Sequence, residues 1–356
     1  MEKKKIAVLL SGGVDSSVAL SLLKEKGHDL VAFYLKIWLE DEFAYLGDCP
    51  WKEDLDYAKS VCKKMGVPLE VVSLQKEYWE HVVAYTIDVI KVGRTPNPDI
   101  FCNKLIKFGF FFDKIDKNFD KVATGHYARV VRDNGVCRLE CTPDETKDQT
   151  YFLSYVTQEQ LSRIICPIGH LNKKQVRELA EKYDLPNKDR KDSQGICFLG
   201  KLKFDHFIRQ HLGEEKGDLV EFETGKKLGE HNGFWFYTIG QRRGTGLSRG
   251  PWYVVAKDPK KNIVYISRDY YSEDKSRDTL EVKKINWISG DVPEKNNLQV
   301  KIRHGKHRYI TKIDFVGKNA AMVKLNHSDQ GIAPGQFAVF YDGDICLGGG
   351  VIERSL

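Results

Sequence analysis

An α/β domain built on a parallel sheet, followed by two small mostly-β modules of which the last is a β-barrel, is the architecture this sequence predicts. Three observations predict it. From Lys5 to about Leu185, short apolar runs alternate with segments whose apolar residues recur at helical spacing, the signature of strands and helices in turn. Beyond about Lys201 the helical spacing fades, and short alternating runs separated by Gly, Asn and Asp take over. A chain of 356 residues is long enough for two or three cores. The pattern divides it at residues 1–200, 201–275 and 276–356.

Taken in order, Ile6 to Leu10 is an apolar run that reads as a buried strand, and Val18, Ala19, Leu22 and Leu23 follow on one face of a helix. Gly27 ends that helix, and Leu30 to Trp38 reads as the second strand. Glu40 to Asp48 is an acidic loop with Cys49 at its end. Glu53 to Lys64 carries Leu55, Ala58, Val61 and Cys62 at helical spacing, and Val67 to Leu74 is the next strand. A helix from about Lys76 to Val92 is broken by the proline-bearing loop Gly93 to Pro98, and another spans roughly Asp99 to Ile115. Val122 to Thr124 ends a fourth strand. Asp133-Asn134-Gly135 between apolar pairs predicts a hairpin. Thr157 to Gln160 is a capping-box pattern, and a second helix opens near Asn172 with Val176, Leu179 and Ala180 inward. Asn187 to Asp192 is so charged that it reads as a solvated loop. Phe204 to Leu212 is a last helix, and the strands after it are Tyr253 to Ala256, Ile263 to Ile266, Val300 to Arg303, Ala320 to Leu325 and Phe337 to Tyr341.

Composition narrows the class. No apolar run reaches membrane-spanning length, and the short run after Met-Glu-Lys-Lys-Lys is a strand rather than a signal sequence, so a cytoplasmic protein is expected. The formal charge of +6 permits an acidic partner such as RNA without demanding one. Eight cysteines are scattered without a Cys-x-x-Cys pair, which argues against zinc and against a disulfide scaffold. Cys62, Cys166 and Cys346 lie among apolar neighbours, as small buried hydrophobes do.

The chemistry begins at Ser11-Gly12-Gly13-Val14-Asp15-Ser16-Ser17, between the first strand and the first helix. The first N–H groups of a helix have no partner and carry partial positive charge. Two glycines let an anion approach the backbone, and the serines add hydroxyl donors, so the turn suits a phosphate. No lysine follows the second glycine, so the pattern is not a Walker loop. The full string resembles the PP-loop of the ATP pyrophosphatase group, which splits ATP between its α and β phosphates and uses the adenylate to activate an oxygen.

Four further stretches each admit two readings from local sequence. In Gly93 to Asn103, Asp99 can cap the following helix and place Cys102 in its first turn, where the dipole favours thiolate; Cys102 can equally be an ordinary helix residue. In Asp192 to Phe198, Cys197 is either a presented thiol or a buried one between Ile196 and Phe198. Lys147 to Phe152 offers donors and a stacking face for a nucleic acid, or is a polar loop entering an apolar helix. Lys301 to Arg308 is either an edge strand guarded by charge, with Lys301 and Arg303 on one face, or an RNA phosphate contact.

In chain order, Ser11 to Ser16, Gly93 to Asp99, Cys102-Asn103-Lys104, Ile106-Lys107-Phe108, Ala123 to Tyr127, Lys147-Asp148-Gln149, Gly195 to Phe198, Gly240-Gln241-Arg242 and Pro334-Gly335-Gln336 closely resemble the bacterial tRNA-specific 2-thiouridylase family. The likeness runs through nearly the whole chain. It implies a PP-loop ATP-binding catalytic domain and 2-thiolation of the wobble uridine, position 34, of tRNA. Carried over by position, it implies that Leu9, Leu10, Ser11, Gly12, Gly13, Val14, Asp15, Ser16, Leu35 and Gly125 bind ATP, with Mg2+ accompanying the nucleotide. Asn97, Pro98 and Asp99 would meet the target base, Asp99 also as acid, base or positioning group. Cys102 would be the nucleophile and Cys197 the persulfide carrier, joined transiently as a disulfide. His126, Lys147, Asp148, Gln149, Arg303, His304 and Gln336 would contact tRNA or lie beside it. The implied partners are the anticodon arm of tRNA and a sulfur-donor protein such as a cysteine desulfurase or sulfur relay protein. The chain departs from the commoner bacterial form in the acidic stretch Glu40 to Pro50, which leaves the role of Cys49 open. The alternatives are another PP-loop ATP pyrophosphatase, acting on a small molecule or modifying tRNA in another way, and a non-catalytic tRNA-binding protein.

Overall fold

The computed structural model of the chain describes residues 3–37, 50–115, 117–192 and 204–356. Cys49 and Cys197 lie outside the described residues. Among the described residues no helix is long and apolar enough to cross a membrane.

Strand β1 (Lys5–Leu9) is followed by helix α1 (Val14–Glu25), β2 (Asp29–Lys36), α2 (Pro50–Met65) and β3 (Leu69–Ser73). Two long helices come next, α3 (residues 75–91) and α4 (residues 98–114). Each contains a wider π-helical stretch, Trp79–Val83 in the first and Cys102–Phe110 in the second. Strand β4 (Lys121–Ala123), the hairpin β5 (Arg129–Asp133) and β6 (Val136–Glu140), the short helices α5 (Thr150–Leu153) and α6 (Gln158–Arg163), β7 (Ile164–Ile165) and α7 (Lys173–Lys182) complete the first domain. Its sheet is parallel throughout, in the order β3-β2-β1-β4-β7. The chain leaves β1 toward β2 and β3 on one side and later returns to its other side as β4. That reversal opens a crevice at the carboxyl end of β1, which is the Ser11–Gly13 turn.

Helix α1 is buried on nearly every side, between the sheet and helices α2 and α7. Its inward serines are satisfied locally: Ser21 donates to the Ser17 carbonyl at 2.9 Å and Ser17 to the Gly13 carbonyl at 2.9 Å. The capping box at Thr157 forms as the sequence predicts, and a second forms between Asn172 and Gln175 at the start of α7.

Helix α8 (Phe204–Leu212) leads into a four-stranded sheet of β8 (Gly217–Glu221), β9 (Lys227–His231), β10 (Tyr253–Asp258) and β11 (Ile263–Ser267), around a small core of Leu219, Trp252, Val254, Val264 and Ile266. The last region holds β12 (Arg277–Trp287), β13 (Asn297–Lys301), β14 (Tyr309–Val316), β15 (Ala320–Asp329), β16 (Phe337–Asp342) and β17 (Ile345–Ser355). They run in the order β12-β15-β14-β13-β16-β17, and pairing of β12 with β17 closes an antiparallel barrel, the predicted architecture. Strands β12, β14 and β17 are additional to those foretold by the alternation of apolar residues.

The hairpin β5–β6 does not join its own domain's sheet. It extends the barrel sheet, with Leu139 opposite Cys346 and Glu140 opposite Ile345. One apolar core therefore runs from Phe33, Cys102, Ile106 and Phe111 in the first domain to Phe337, Val339 and Tyr341 in the barrel.

Candidate active site

The half of the site expected to hold phosphate is built at the crevice. Gly12 sits at φ +77°, a left-handed conformation that favours glycine, and a Cβ there would run into the carbonyl of Asp54. Gly13 is the N-cap of α1 and supplies no side-chain cap, so the first turn of the helix keeps its donors for a ligand. Gly125, just after β4, presses on that turn: a Cβ would lie 2.7 Å from the Ser16 nitrogen. Leu35, near the end of β2, lies at the same sheet edge. Tyr127 donates its hydroxyl to Asp15 Oδ1 at 2.9 Å. Burial and then the Asp15 carboxylate push the Tyr127 phenol far up, so it stays a donor.

The stretch Asn187 to Asp192, expected to be a solvated loop, is instead part of this half. Asn187 is 1 % exposed and donates from Nδ2 to the Gly12 carbonyl at 2.8 Å and to Ser17 Oγ at 2.9 Å. Arg190 donates to the same carbonyl at 3.1 Å and pairs with Asp54. Asp192 is ringed by Lys147, Lys173 and Arg177. Burial alone would raise the Asp192 carboxyl, but its bonds from Lys147 and Lys173 win and hold it down at about 2. A charged run reads as surface because each charge is assumed to face water; Asp189 and Lys191 do so, but Arg190 and Asp192 turn inward to partners far away in sequence. The only sequence sign was the Asn-Lys-Asp-Arg-Lys-Asp alternation of sign.

The second half centres on the loop before α4. Pro98 occupies the first helical position, as proline favours, so Asn97 rather than Asp99 is the cap. Asp99 lies half-buried in the first turn, and Cys102 falls two residues further in than expected, past the first turn, where the dipole has faded. Cys102 is 1 % exposed and begins the π-helical stretch. The loop is held from outside its own domain. Arg94 makes a bidentate pair with Glu353 of β17 at 3.0 and 2.6 Å. Asn97 donates to Gln336 at 3.3 Å, Gln336 donates to the Pro96 carbonyl at 2.8 Å, and Thr95 N–H donates to the Pro334 carbonyl at 2.8 Å. Pro259, in the β10–β11 turn, packs on Gly93.

The segment Gly125-His126-Tyr127 touches both halves. His126 packs against Phe108 of α4 with centroids 6.1 Å apart and shares a 2.9 Å hydrogen bond with Thr124. Burial, and then the Lys107 ammonium, hold its imidazole well below the usual histidine range, so it is neutral. Lys107 donates to Asn103 at 2.9 Å, and Asn103 to the Phe152 carbonyl at 3.1 Å.

The remaining expected RNA-contact residues cluster where the first domain meets the barrel. Gln149 accepts from the Tyr127 N–H at 2.9 Å. Asp148 and Lys301 are each 2 % exposed and paired at 2.9 Å. Lys301 therefore does not share a solvated face with Arg303. β13 is an interior strand between β14 and β16 rather than an edge, and it ends at Lys301. Beyond it, Arg303 is exposed and fastened to Asp329, and His304 stacks on Phe152 at 4.6 Å. Among the described residues no group of three or more His, Cys, Asp or Glu side chains could hold a metal ion.

Comparison with known proteins covers the whole chain. Residues 4–201 match a family model described as the tRNA methyl transferase HUP domain, residues 205–268 the tRNA methyl transferase PRC-barrel domain, and residues 277–352 the aminomethyltransferase beta-barrel domain. A tRNA-specific 2-thiouridylase MnmA of Parabacteroides distasonis is 47% identical over 357 residues, covering 98% of each chain. A tRNA-specific 2-thiouridylase MnmA 1 of Bacteroides thetaiotaomicron is 48% identical, covering 98% of this chain and 99% of its own.

Proposed function

Since the chain belongs to the tRNA-specific 2-thiouridylase family and is thereby an ATP-using tRNA sulfurtransferase, we propose that it 2-thiolates the wobble uridine through an adenylated intermediate and a cysteine persulfide. The observation that carries this reading is the Gly125-His126-Tyr127 segment. It fits Gly125 against the Ser16 nitrogen, bonds Tyr127 to Asp15, and packs His126 on Phe108, in the helix that carries Cys102. A phosphate cradle and a thiol-bearing helix thus share one wall.

The C2 oxygen of uridine is a poor leaving group. It attacks the α-phosphate of ATP, the α–β bond breaks, and pyrophosphate leaves; the Ser11 to Ser16 turn and the α1 N-terminus hold the phosphates. Leu35 and Gly125 bound the nucleotide at the same edge. Mg2+ would accompany the nucleotide and offset part of its phosphate charge. Asn97, Pro98 and Asp99 receive the base, which must leave its stack to be reached. The terminal sulfur of a Cys197 persulfide, loaded by a sulfur-donor protein, attacks C2 and AMP leaves with the oxygen. Cys102 thiolate then attacks the Cys197 sulfur, the S–S bond to the base breaks, and 2-thiouridine departs from a Cys102–Cys197 disulfide. Cellular thiols reduce that disulfide, which suits a cytoplasmic enzyme. His126, Gln149, Arg303, His304 and Gln336 line the RNA side with Asp148 behind them, whereas Lys147, also expected to contact tRNA, turns to Asp192 beside the cradle.

The family-model descriptions speak of methyl transfer, the full-length relatives of thiolation. Methylation of a base needs neither ATP cleavage nor a second cysteine, whereas thiolation uses both. Replacing Cys197 by Ser should abolish 2-thiouridine formation while leaving ATP binding intact, read by mass spectrometry of tRNA nucleosides and by calorimetry. Normal thiolation by that variant would end the persulfide role, and a methylated nucleoside from the wild-type enzyme would end the sulfur-transfer reading.

A further inference from the structure

Resting on the nucleotide reading above, we infer that Lys147, Lys173 and Arg177 form the seat of the β- and γ-phosphates of ATP, and that Asp192 is the chain's own anion in that seat. The carboxylate of Asp192 takes one oxygen to Lys173 at 2.6 Å and to Arg177 at 2.7 Å, and the other to Lys147 at 2.8 Å. Lys173 also reaches Asp15 Oδ1 at 2.8 Å. Asp15 belongs to the first turn of α1, so the cations face the phosphate cradle directly.

The first turn of α7 holds Lys173 and Lys174 and no acid of its own; the Asp144 carboxylate accepts from the Lys173 N–H at 3.1 Å and answers the helix dipole. Lys173 and Arg177 stand four apart, so two like charges share one face, which destabilises a helix unless an anion lies between them. Asp192 supplies that anion: all three cations touch its carboxylate, and Lys173 touches Asp15 as well. A polyphosphate brings several oxygens and more negative charge than one carboxylate, and it can take a guanidinium fork side-on. The cluster is reachable, since the Lys147, Arg177 and Asp192 side chains are each about one-third exposed. When uridine attacks the α-phosphate, the charge that develops on departing pyrophosphate falls on these three cations.

The test uses the full-length chain and three probes: AMP, inorganic pyrophosphate, and an ATP analogue with a non-cleavable α–β bridge, each titrated by calorimetry. Lys173→Met and Arg177→Gln should weaken pyrophosphate and the analogue by about tenfold or more, and AMP by less than about twofold. Unchanged AMP affinity also certifies that the variants are folded, and Lys173→Arg should restore pyrophosphate binding. Asp192→Asn should tighten pyrophosphate by about threefold, because no internal anion has to be displaced. Equal losses for AMP and the analogue, or an Asp192→Asn protein that binds pyrophosphate no better, would overturn the assignment. A wild-type protein that binds none of the three probes would overturn the nucleotide reading along with it. One that binds all three and is indifferent to these substitutions would overturn the seat alone.

Discussion

The nucleotide cradle and the loop before Cys102 are assembled in opposite ways. Every side chain shown to brace the cradle comes from the first domain: Asp15, Asp54, Tyr127, Lys173, Asn187 and Arg190. The loop at 93–98 is braced by Glu353, Pro334 and Gln336 of the barrel and by Pro259 of the middle module. The cradle is therefore braced locally, while the loop proposed to meet the base depends on how three regions are joined.

The largest way to break this comparison is to cut the joint itself. Lys301→Met would leave Asp148 charged and buried without its ammonium partner, and should cost about 3–5 kcal/mol of folding stability. Urea unfolding checks this, and the double variant with Asp148→Asn should recover much of the loss. A joint that matters only to the base side predicts that nucleotide affinity of the folded Lys301→Met fraction is normal; a loss of ATP binding there would show that the cradle is not self-contained. The converse cut is Asp15→Ala, which removes the acceptor of both Tyr127 and Lys173. AMP release should fall by about a hundredfold, while tRNA retention on filters is unchanged. Undiminished AMP release would take the reaction away from this turn.

A smaller effect is expected from loosening the clasp on the loop. Glu353→Gln turns a bidentate ion pair with Arg94 into a hydrogen bond from a charged guanidinium to a neutral amide. Glu353 is held below the usual carboxylate range chiefly by that guanidinium, so the pair is intact at neutral pH. Misplacing the base by a fraction of an ångström should lower thiolation by about tenfold, with ATP binding untouched. Equal effects on both activities would erase the distinction between the two halves.

The same division governs what could be read from sequence. The Ser11 to Ser17 turn was legible because its signal is local: a glycine pair between an apolar run and a helical face. The joint was not. Nothing in Val130 to Leu139 says that the hairpin pairs with a strand two hundred residues on, because strand partners are chosen by long-range packing. Lys301 reads as exposed since lysine almost always is, and only its partner Asp148 explains its burial. β17 was hidden by Gly348-Gly349-Gly350, which resembles a turn until β12 and β16 are seen pressing on it from both sides. Asn187 to Asp192 misled for a related reason, since a charge is legible as a residue type while its partner is not. Cys197, the residue on which the proposed sulfur transfer most depends, rests on the family resemblance and on its own test.

The finest probe of the comparison sits where the two halves touch. His126 is 8 % exposed, and burial, then Lys107, lower its pKa well below the value near 6.5 that it has in an unfolded chain. As pH falls below 6.5 the unfolded chain takes up a proton that the folded chain refuses. The stability that His126 contributes is thus complete above about pH 6.5 and drains away below it, by at most about 1.4 kcal/mol per pH unit. Urea titrations at pH 7.5, 6.5 and 5.5 should show this slope, and His126→Gln should flatten it by that amount relative to wild type, whatever the other histidines contribute. Parallel curves for the two proteins would mean that the imidazole is not buried neutral. A neutral ring also predicts that acidification from pH 7.5 to 6.5 brings no gain in tRNA affinity through His126. The positive charge at this boundary belongs to Lys107, on the helix of Cys102.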